Sequence, residues 1–178
     1  MNLPIPKLKA ILLYFCNNTS TKFLGKVKLM KLFYFLDFTH LKTYGSPVTY
    51  DTYINLEHGP IPSFIKNLVD TAADDIDSSI LSDTISFETP RGTNRYRVLP
   101  NRDLSDDDKK HFSATELDIL NKICLKFGNK NTKYIEDVSH NESPWKQTNF
   151  LDKIPYNLAV NDLDCQVTEE EINLLLEL

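Results

Sequence analysis

The sequence predicts a mostly α-helical α+β fold, a single domain that carries a small antiparallel β-sheet of about three strands. Apolar residues recur at helical spacing in several segments, most clearly in residues 26–44. Runs rich in β-forming residues occupy 52–58, 84–89 and 94–99. A length of 178 residues suits one domain, and five scattered glycines form neither a flexible linker nor a nucleotide-binding loop.

The first two helices are predicted in the N-terminal third of the chain. The first covers 7–17, and the second covers 26–44, where Gly45 supplies a C-terminal stop. Apolar side chains cover most of the circumference of the second helix. This distribution predicts a helix that is central to the fold or lies under a partner.

The middle of the chain predicts a sheet and a third helix. A strand at 52–58 is expected to end in a strand-to-helix corner with the sequence "HGPIP", followed by a helix at 62–73. Gly59 allows the backbone to turn where a Cβ would clash, and the prolines fix φ near the value that a helix start needs. The runs 84–89 and 94–99 are predicted to form a hairpin that joins the first strand in one sheet.

The second half returns to helix. Capping-box spacing at 113–116 and 168–171 predicts two helices, with a short helix at 132–138 between them. Trp145 is predicted to be a core anchor with its indole N–H hydrogen-bonded, and a binding hot spot is the alternative. The last helix ends in a leucine-rich tip at 174–178, which is predicted to dock on the same domain rather than under another protein.

Charge and cysteine content limit the classes of function. Residues 1–50 hold seven lysines and one acid, the remainder holds 13 basic and 24 acidic residues, and the net charge is −5. A basic third favours an acidic partner or a phosphate backbone, but no arginine precedes Arg91 and the overall acidity argues against nucleic acid. Three dispersed cysteines suit no disulfide framework, and no apolar run suits a membrane span, so a cytoplasmic protein is predicted.

A metal or acid–base site is the strongest catalytic candidate. Its residues would be Asp37, His40, His58, His140 and Glu142. Their spacing matches no contiguous metal motif, so the favoured interpretation is that the histidines satisfy buried backbone groups and fix the packing of separate segments. No nucleophile elbow is present. The sequence therefore predicts a protein that is not an enzyme and uses no cofactor.

Three stretches together resemble the Panacea domain of the SocA-like antitoxin family, which is widespread in bacteria and their phages. They are "KLMKLFYFLDFTHLKTYG" at 28–45, the strand running into "EHGPIPSFI" at 57–65, and "SHNESPW" at 139–145. Their order and approximate spacing are those of the family. The predicted division is a Panacea-like domain at 1–147 and a C-terminal extension with a terminal helix at 148–178.

The resemblance implies function by binding. Members of the family neutralise unrelated toxins encoded beside them, so the implied role is an antitoxin that binds a cognate toxin protein in a bacterial or phage toxin–antitoxin system. One alternative is a proteolytic adaptor that delivers a client to a ClpXP-type protease, with a protease or chaperone as a further partner. The other is a metal-dependent enzyme built on His40, His58 and His140. No membrane partner is expected, and a homo-oligomer stays open.

Positions that match the family motifs, together with Asp37, form the predicted site. They are Lys31, Tyr34, Asp37, His40, His58, Gly59, Pro60, His140 and Trp145. Several are apolar, glycine or proline, types that more often set geometry than make contacts. The hypothesis is a corner that locks the sheet to the helices, holds His58 beside the second helix near His40 and Trp145, and positions a neighbouring face for the partner.

Overall fold

The computed structural model describes residues 3–93 and 95–176 and is mostly helical. Its helices are α1 (Ile5–Asn18), α2 (Lys26–Tyr44), α3 (Ser63–Asp74), α4 (Asp106–Lys109), α5 (Ala114–Phe127), α6 (Thr132–His140), α7 (Ser143–Lys146), a 3-10 helix (Tyr156–Asn161) and α8 (Glu169–Leu176). Its strands are β1 (Tyr53–Leu56), β2 (Gly59–Pro62), β3 (Ile85–Glu88), β4 (Arg97–Pro100) and β5 (Lys153–Ile154). The predicted class, helices with a small antiparallel sheet, is confirmed.

Helix α2 is the centre of the fold, as its apolar circumference predicts. It packs against α3, α5, α6, β2 and the 3-10 helix. The helix stops at Gly45, whose φ of 83° is left-handed and whose N–H donates to the carbonyl of Leu41 at 2.8 Å. Because most of its side chains are buried, the motif residues on α2 face other parts of the chain rather than solvent.

The expected strand-to-helix corner is wrong, because "GPIP" forms a second strand. Strands β1 and β2 make an antiparallel hairpin with Leu56 opposite Gly59, and the turn consists of Glu57 and His58. Gly59, at φ 92°, supplies the left-handed residue that reverses the chain. Helix α3 begins only after Pro62.

The expected grouping of strands is also wrong. The three-stranded sheet has the order β2-β1-β5, and the hairpin β3–β4 forms a separate sheet. The reason is a competing partner for β4: the N–H of Val98 donates to the carbonyl of Leu24 at 2.9 Å, and Gly25 forms a bridge with Arg97. Asn94, the predicted start of this strand, lies outside the described residues.

The C-terminal segment contributes to the same hydrophobic core. Ile154, Ala159 and Ile172 are buried members of the core cluster. Lys42 of α2 anchors the segment, because its buried Nζ lies 2.8 Å from Glu142, 3.4 Å from Asp162 and 2.9 Å from Asp164. These carboxylates raise the pKa of Lys42 against the opposing effect of burial. Leu178, the end of the predicted leucine-rich tip, lies outside the described residues.

Within residues 3–93 and 95–176, none of the helices combines the length and the apolar character that a bilayer crossing requires.

Candidate functional site

The three family-like stretches meet where Gly59 packs against α2 and α6. A Cβ on Gly59 would lie 2.7 Å from Ser139 Oγ, 2.9 Å from Lys31 Nζ and 3.1 Å from His140 Nε2. Each of these distances is too short for an ordinary contact, so both the space and the left-handed φ require glycine. We call this cluster, made of Lys31, Gly59, Ser139 and His140, the motif junction.

Lys31 ties α2 to β2 inside the motif junction. Its Nζ donates to the carbonyl of Pro60 at 2.7 Å, and the side chain is fully buried. Burial lowers the pKa of Lys31 from 10.5 to about 7, and the nearby carboxylate of Glu136 opposes this shift. Lys31 thus holds α2 and β2 together, and burial makes the charged form of its amino group energetically unfavourable.

We expect Lys31→Met to remove a pH dependence of stability. The native side chain releases its proton near pH 7, whereas the unfolded one keeps it to about 10.5. Between these two pKa values the native state therefore binds fewer protons than the unfolded state. The free energy of unfolding of the wild type rises with pH over this range, by an amount on the order of a few kcal/mol. Urea denaturation from pH 6.5 to 10 measures it. Parallel curves for wild type and variant would contradict the burial effect, and Lys110→Met is the exposed control.

Trp145 secures the other side of the junction. Its ring stacks on that of His140 with centroids 4.0 Å apart and an angle of 15°. Its Nε1 donates to the carbonyl of Leu56 at 3.4 Å, and its own carbonyl accepts from Asn55 Nδ2 at 3.0 Å. Trp145 is partly buried and packs against the core with its indole N–H bonded, as predicted for an anchor.

The histidine side chains of the predicted site have different environments. His140 Nε2 is buried and has no hydrogen-bond partner among the described residues, and burial lowers the pKa of His140. His58 lies on the exposed turn, with Nδ1 3.2 Å from Glu136 Oε1. His40 is buried at the other end of α2, with Nδ1 2.6 Å from the carbonyl of Ser46 and Nε2 3.1 Å from Thr115 Oγ1. The expectation that His58 lies near His40 is therefore wrong.

Asp37 and Tyr34 lie deep in the core. Asp37 accepts from the N–H of Val48 at 2.9 Å, from the N–H and hydroxyl of Thr49, from Tyr53 Oη at 2.8 Å and from Tyr156 Oη at 3.3 Å. Burial raises the pKa of Asp37 to about 6 although these donors favour the charged form. Tyr34 is fully buried, and its hydroxyl has no hydrogen-bond partner among the described residues.

The five candidate metal ligands do not come together. Glu142 pairs with Lys42, and the histidines lie as described above. Asp37 accepts from the hydroxyls of Thr49, Tyr53 and Tyr156, which we call the hydroxyl cluster. Across residues 3–93 and 95–176, no group of three or more His, Cys, Asp or Glu side chains is arranged to hold a metal ion. The metal-centre alternative thus lacks an assembled donor set in the described part of the chain.

The basic character of residues 1–50 is largely used inside the molecule. Lys7, Lys9 and Lys26 form ion pairs with Glu116, Asp83 and Asp70. Lys28 Nζ donates to the carbonyls of Gly128 and Lys130, just beyond α5. With Lys31 and Lys42 buried as well, six of the seven lysines have partners within the chain. Internal partners of this kind argue against a role for these lysines in holding a phosphate backbone.

A groove of about 520 Å³ lies directly beside the motif junction. It is lined by Gly25, Lys26, Val27, His58, Arg95, Tyr96, Thr132, Lys133 and Glu136. We call it the Val27 groove. A smaller cavity of about 120 Å³ shares Lys26 and Val27 with it and has Met30, Ile61 and Val69 in its lining.

Most of the groove residues were not in the predicted site. His58 was, because it belongs to a motif. Val27, Tyr96 and Glu136 come from three separate segments, α2, the segment before β4 and α6, which only the tertiary fold brings together. Val27 carries a weak sequence signal: it is an apolar residue at the start of an otherwise buried helix. It is 38% exposed, whereas Met30, one turn later, is buried.

Comparisons with known proteins give one match. The model of the family described as "Antitoxin SocA-like, Panacea domain" matches residues 29–146. This range includes the groove wall on α6 and every residue of the motif junction. A search of curated proteins found no match, and neither did a search of solved structures.

Proposed function

Because this chain belongs to the family of SocA-like antitoxins with a Panacea domain, we propose that it binds a cognate toxin protein and neutralises it by direct contact. The observation that carries the proposal is the family match over residues 29–146, about two thirds of the chain. The family implies a protein partner and a non-enzymatic role. We place both proteins in the cytoplasm, as the two members of one toxin–antitoxin system.

The geometry supports a division between scaffold and binding surface. Lys31, Tyr34, Asp37 and His40 are buried, and each of these positions faces the chain itself. Buried residues of this kind determine the shape of the domain, whereas a toxin can contact only the residues that are exposed on its surface. We therefore propose that the site positions, apart from the exposed His58, act by holding the frame.

Exposed apolar side chains are available for contacts with a toxin. They include Val27, Tyr96, Phe64, Phe150 and Leu151. Leu151 has a left-handed φ of 71°, and its N–H donates to the carbonyl of Asn55 at 2.8 Å. A standard interface of about 1,600 Å² needs a few such anchors, and masking a toxin needs no catalysis.

Co-expression tests the proposal. The reading frame next to this gene is induced in cells with or without this chain, and colony formation is counted. We expect the neighbouring product alone to stop growth and the pair to grow. Growth arrest that the chain does not relieve, or a neighbouring product that is harmless alone, would refute the proposal.

A second arm separates masking from delivery to a protease. The same pair is expressed in cells that lack ClpXP. Neutralisation by direct contact is expected to persist there with the toxin present at full level. Loss of protection in those cells would show that the chain acts as a proteolytic adaptor instead.

A further inference from the structure

We propose that the Val27 groove receives an acidic peptide segment of the partner, anchored by an apolar side chain. The inference rests on the proposed function and deepens it, because it names the surface and the chemistry of the bound segment. The groove is favoured over other exposed surfaces because it combines concave shape, apolar area and charge in one place.

The lining of the groove carries more cationic than anionic side chains. Three cationic side chains line it, Lys26, Arg95 and Lys133, against the carboxylate of Glu136. Glu136 Oε1 lies 3.2 Å from His58 Nδ1. The aspartates that pair with Lys26 and Lys133, Asp70 and Asp137, are not among the lining residues. The lining itself is therefore positive in a chain with a net charge of −5, and it favours the approach and orientation of carboxylates.

The cations are placed to accept carboxylates. Lys26 Nζ lies 2.6 Å from Asp70, and Lys133 Nζ lies 2.7 Å from Asp137. These are partly or fully exposed pairs, so an incoming carboxylate can share the ammonium groups without the cost of desolvating a buried pair. Arg95 is exposed and adds a planar guanidinium suited to bidentate contact.

The groove also offers an apolar anchor point. Val27 is 38% exposed and Tyr96 is 36% exposed, and Lys26 Nζ lies 5.0 Å from the centre of the Tyr96 ring. The adjoining cavity continues the apolar lining with Met30, Ile61 and Val69. A leucine-sized or phenylalanine-sized side chain fits such a surface, with acidic neighbours reaching the cations on either side.

The motif junction explains why this groove keeps its shape. His58, one wall residue, directly precedes Gly59, and Glu136, another, precedes Ser139 by one helical turn. Close packing at Gly59 therefore fixes the distance between the hairpin and α6. The family-like motifs hold the groove open, and one of their residues, His58, also lines it.

A charge-reversal experiment tests the groove. The double variant Arg95→Glu with Lys133→Glu is compared with Lys109→Glu with Lys110→Glu at the C-terminal end of α4. The control lysines are also exposed and also pair with aspartates on their own helix. The probe is the purified product of the neighbouring reading frame, and its dissociation constant is measured at 50 and 300 mM salt.

We expect the groove variant to bind at least 30-fold more weakly and to lose most of the salt dependence, while the control stays within twofold of wild type. Val27→Asp is expected to weaken binding at least tenfold through loss of the anchor. Melting temperatures of all variants are measured first, so that unfolding is not mistaken for lost contact. A partner variant with its acidic residues reversed to lysine should restore binding to the groove variant.

Each outcome separates the inference from the proposed function. If wild type binds the probe and the groove variants bind equally well, the groove is not the docking surface, although the proposed function stands. If wild type fails to bind, the proposed function fails and this inference fails with it. If the groove variants lose retention on duplex DNA while toxin binding is unchanged, the occupant is a nucleic acid and the inference is overturned.

Discussion

Gly59→Ala is expected to lower the free energy of unfolding by about 3 kcal/mol, and Gly59→Val by more. The native φ of 92° is strained for any residue with a Cβ. The new methyl would also meet Ser139 Oγ at 2.7 Å and Lys31 Nζ at 2.9 Å, both buried. Lys31 cannot move aside cheaply because its Nζ holds the carbonyl of Pro60. Thermal and urea denaturation followed by circular dichroism measure the effect.

Gly92→Ala is the matched control for this prediction. Gly92 has a similar left-handed φ of 80°, but nothing lies within 4 Å of the Cβ that alanine would add. This variant should lose about 1 kcal/mol, the backbone strain alone. Equal losses at both positions would show that the motif junction is not tightly packed. Loss of toxin binding at full stability in Gly59→Ala would make the hairpin a contact site.

Asp37→Ala is expected to cost about 3 to 5 kcal/mol of folding free energy. The carboxylate accepts hydrogen bonds from two backbone N–H groups and from the hydroxyls of Thr49, Tyr53 and Tyr156. Removing it leaves the backbone N–H groups of Val48 and Thr49 and the hydroxyl of Thr49 without an acceptor. The two tyrosine hydroxyls keep backbone acceptors, the carbonyls of Phe33 and Asp51. Urea denaturation measures the loss, and Asp37→Asn, which keeps an acceptor oxygen, should recover part of it.

Asp118→Ala provides the control for this second prediction. Asp118 is partly exposed and pairs with Lys122 one turn along α5, so its loss should change stability by at most about 0.5 kcal/mol. A loss at Asp37 no larger than at Asp118 would contradict a structural role for the hydroxyl cluster.

The pH dependence at Asp37 has a definite sign. Burial raises its native pKa to about 6, while the unfolded value is 3.8. Between these values the native state holds a proton that the unfolded state has released. The contribution of Asp37 to stability is therefore greatest below about pH 4 and falls as the pH rises through 6. The difference in stability between wild type and Asp37→Ala should be larger at pH 4 than at pH 7.

Helices with strong local signals could be predicted from the sequence. The segment 26–44 has apolar residues around its circumference and a glycine stop, and α2 has those bounds. The capping box at Ser113 and Glu116 begins α5 as predicted, with both reciprocal hydrogen bonds formed. These features lie within a few residues of each other, so local chemistry decides them.

The sheets could not be predicted because distant pairings decide them. Two prolines in four residues argue against a strand, yet β2 forms as a sheet edge, where missing N–H groups are tolerated. A two-residue strand such as β5 has no detectable periodicity. The hairpin β3–β4 pairs with the chain at Leu24 and Gly25, a choice that no local pattern signals.

The candidate site could be predicted only in part, because distant parts of the chain supply many of its contacts. Spacing on a helix places Asp37 and His40 one turn apart. Their partners, however, come from the loop at 46–49, from Tyr53 and Tyr156, and from Thr115. The motifs pointed to Gly59 and His140, which do meet. The groove depends on charged and apolar side chains from α2, α6 and the segment before β4, so it emerges only from the tertiary structure.

Direct association with the toxin is the central claim, and isothermal titration of this purified chain with the purified product of the neighbouring reading frame tests it. We expect a saturable complex of fixed stoichiometry with a Kd below about 1 μM, formed without any other protein. The contradicting result is an absence of heat and of co-elution at tens of micromolar, with both proteins folded and the neighbouring product toxic in cells.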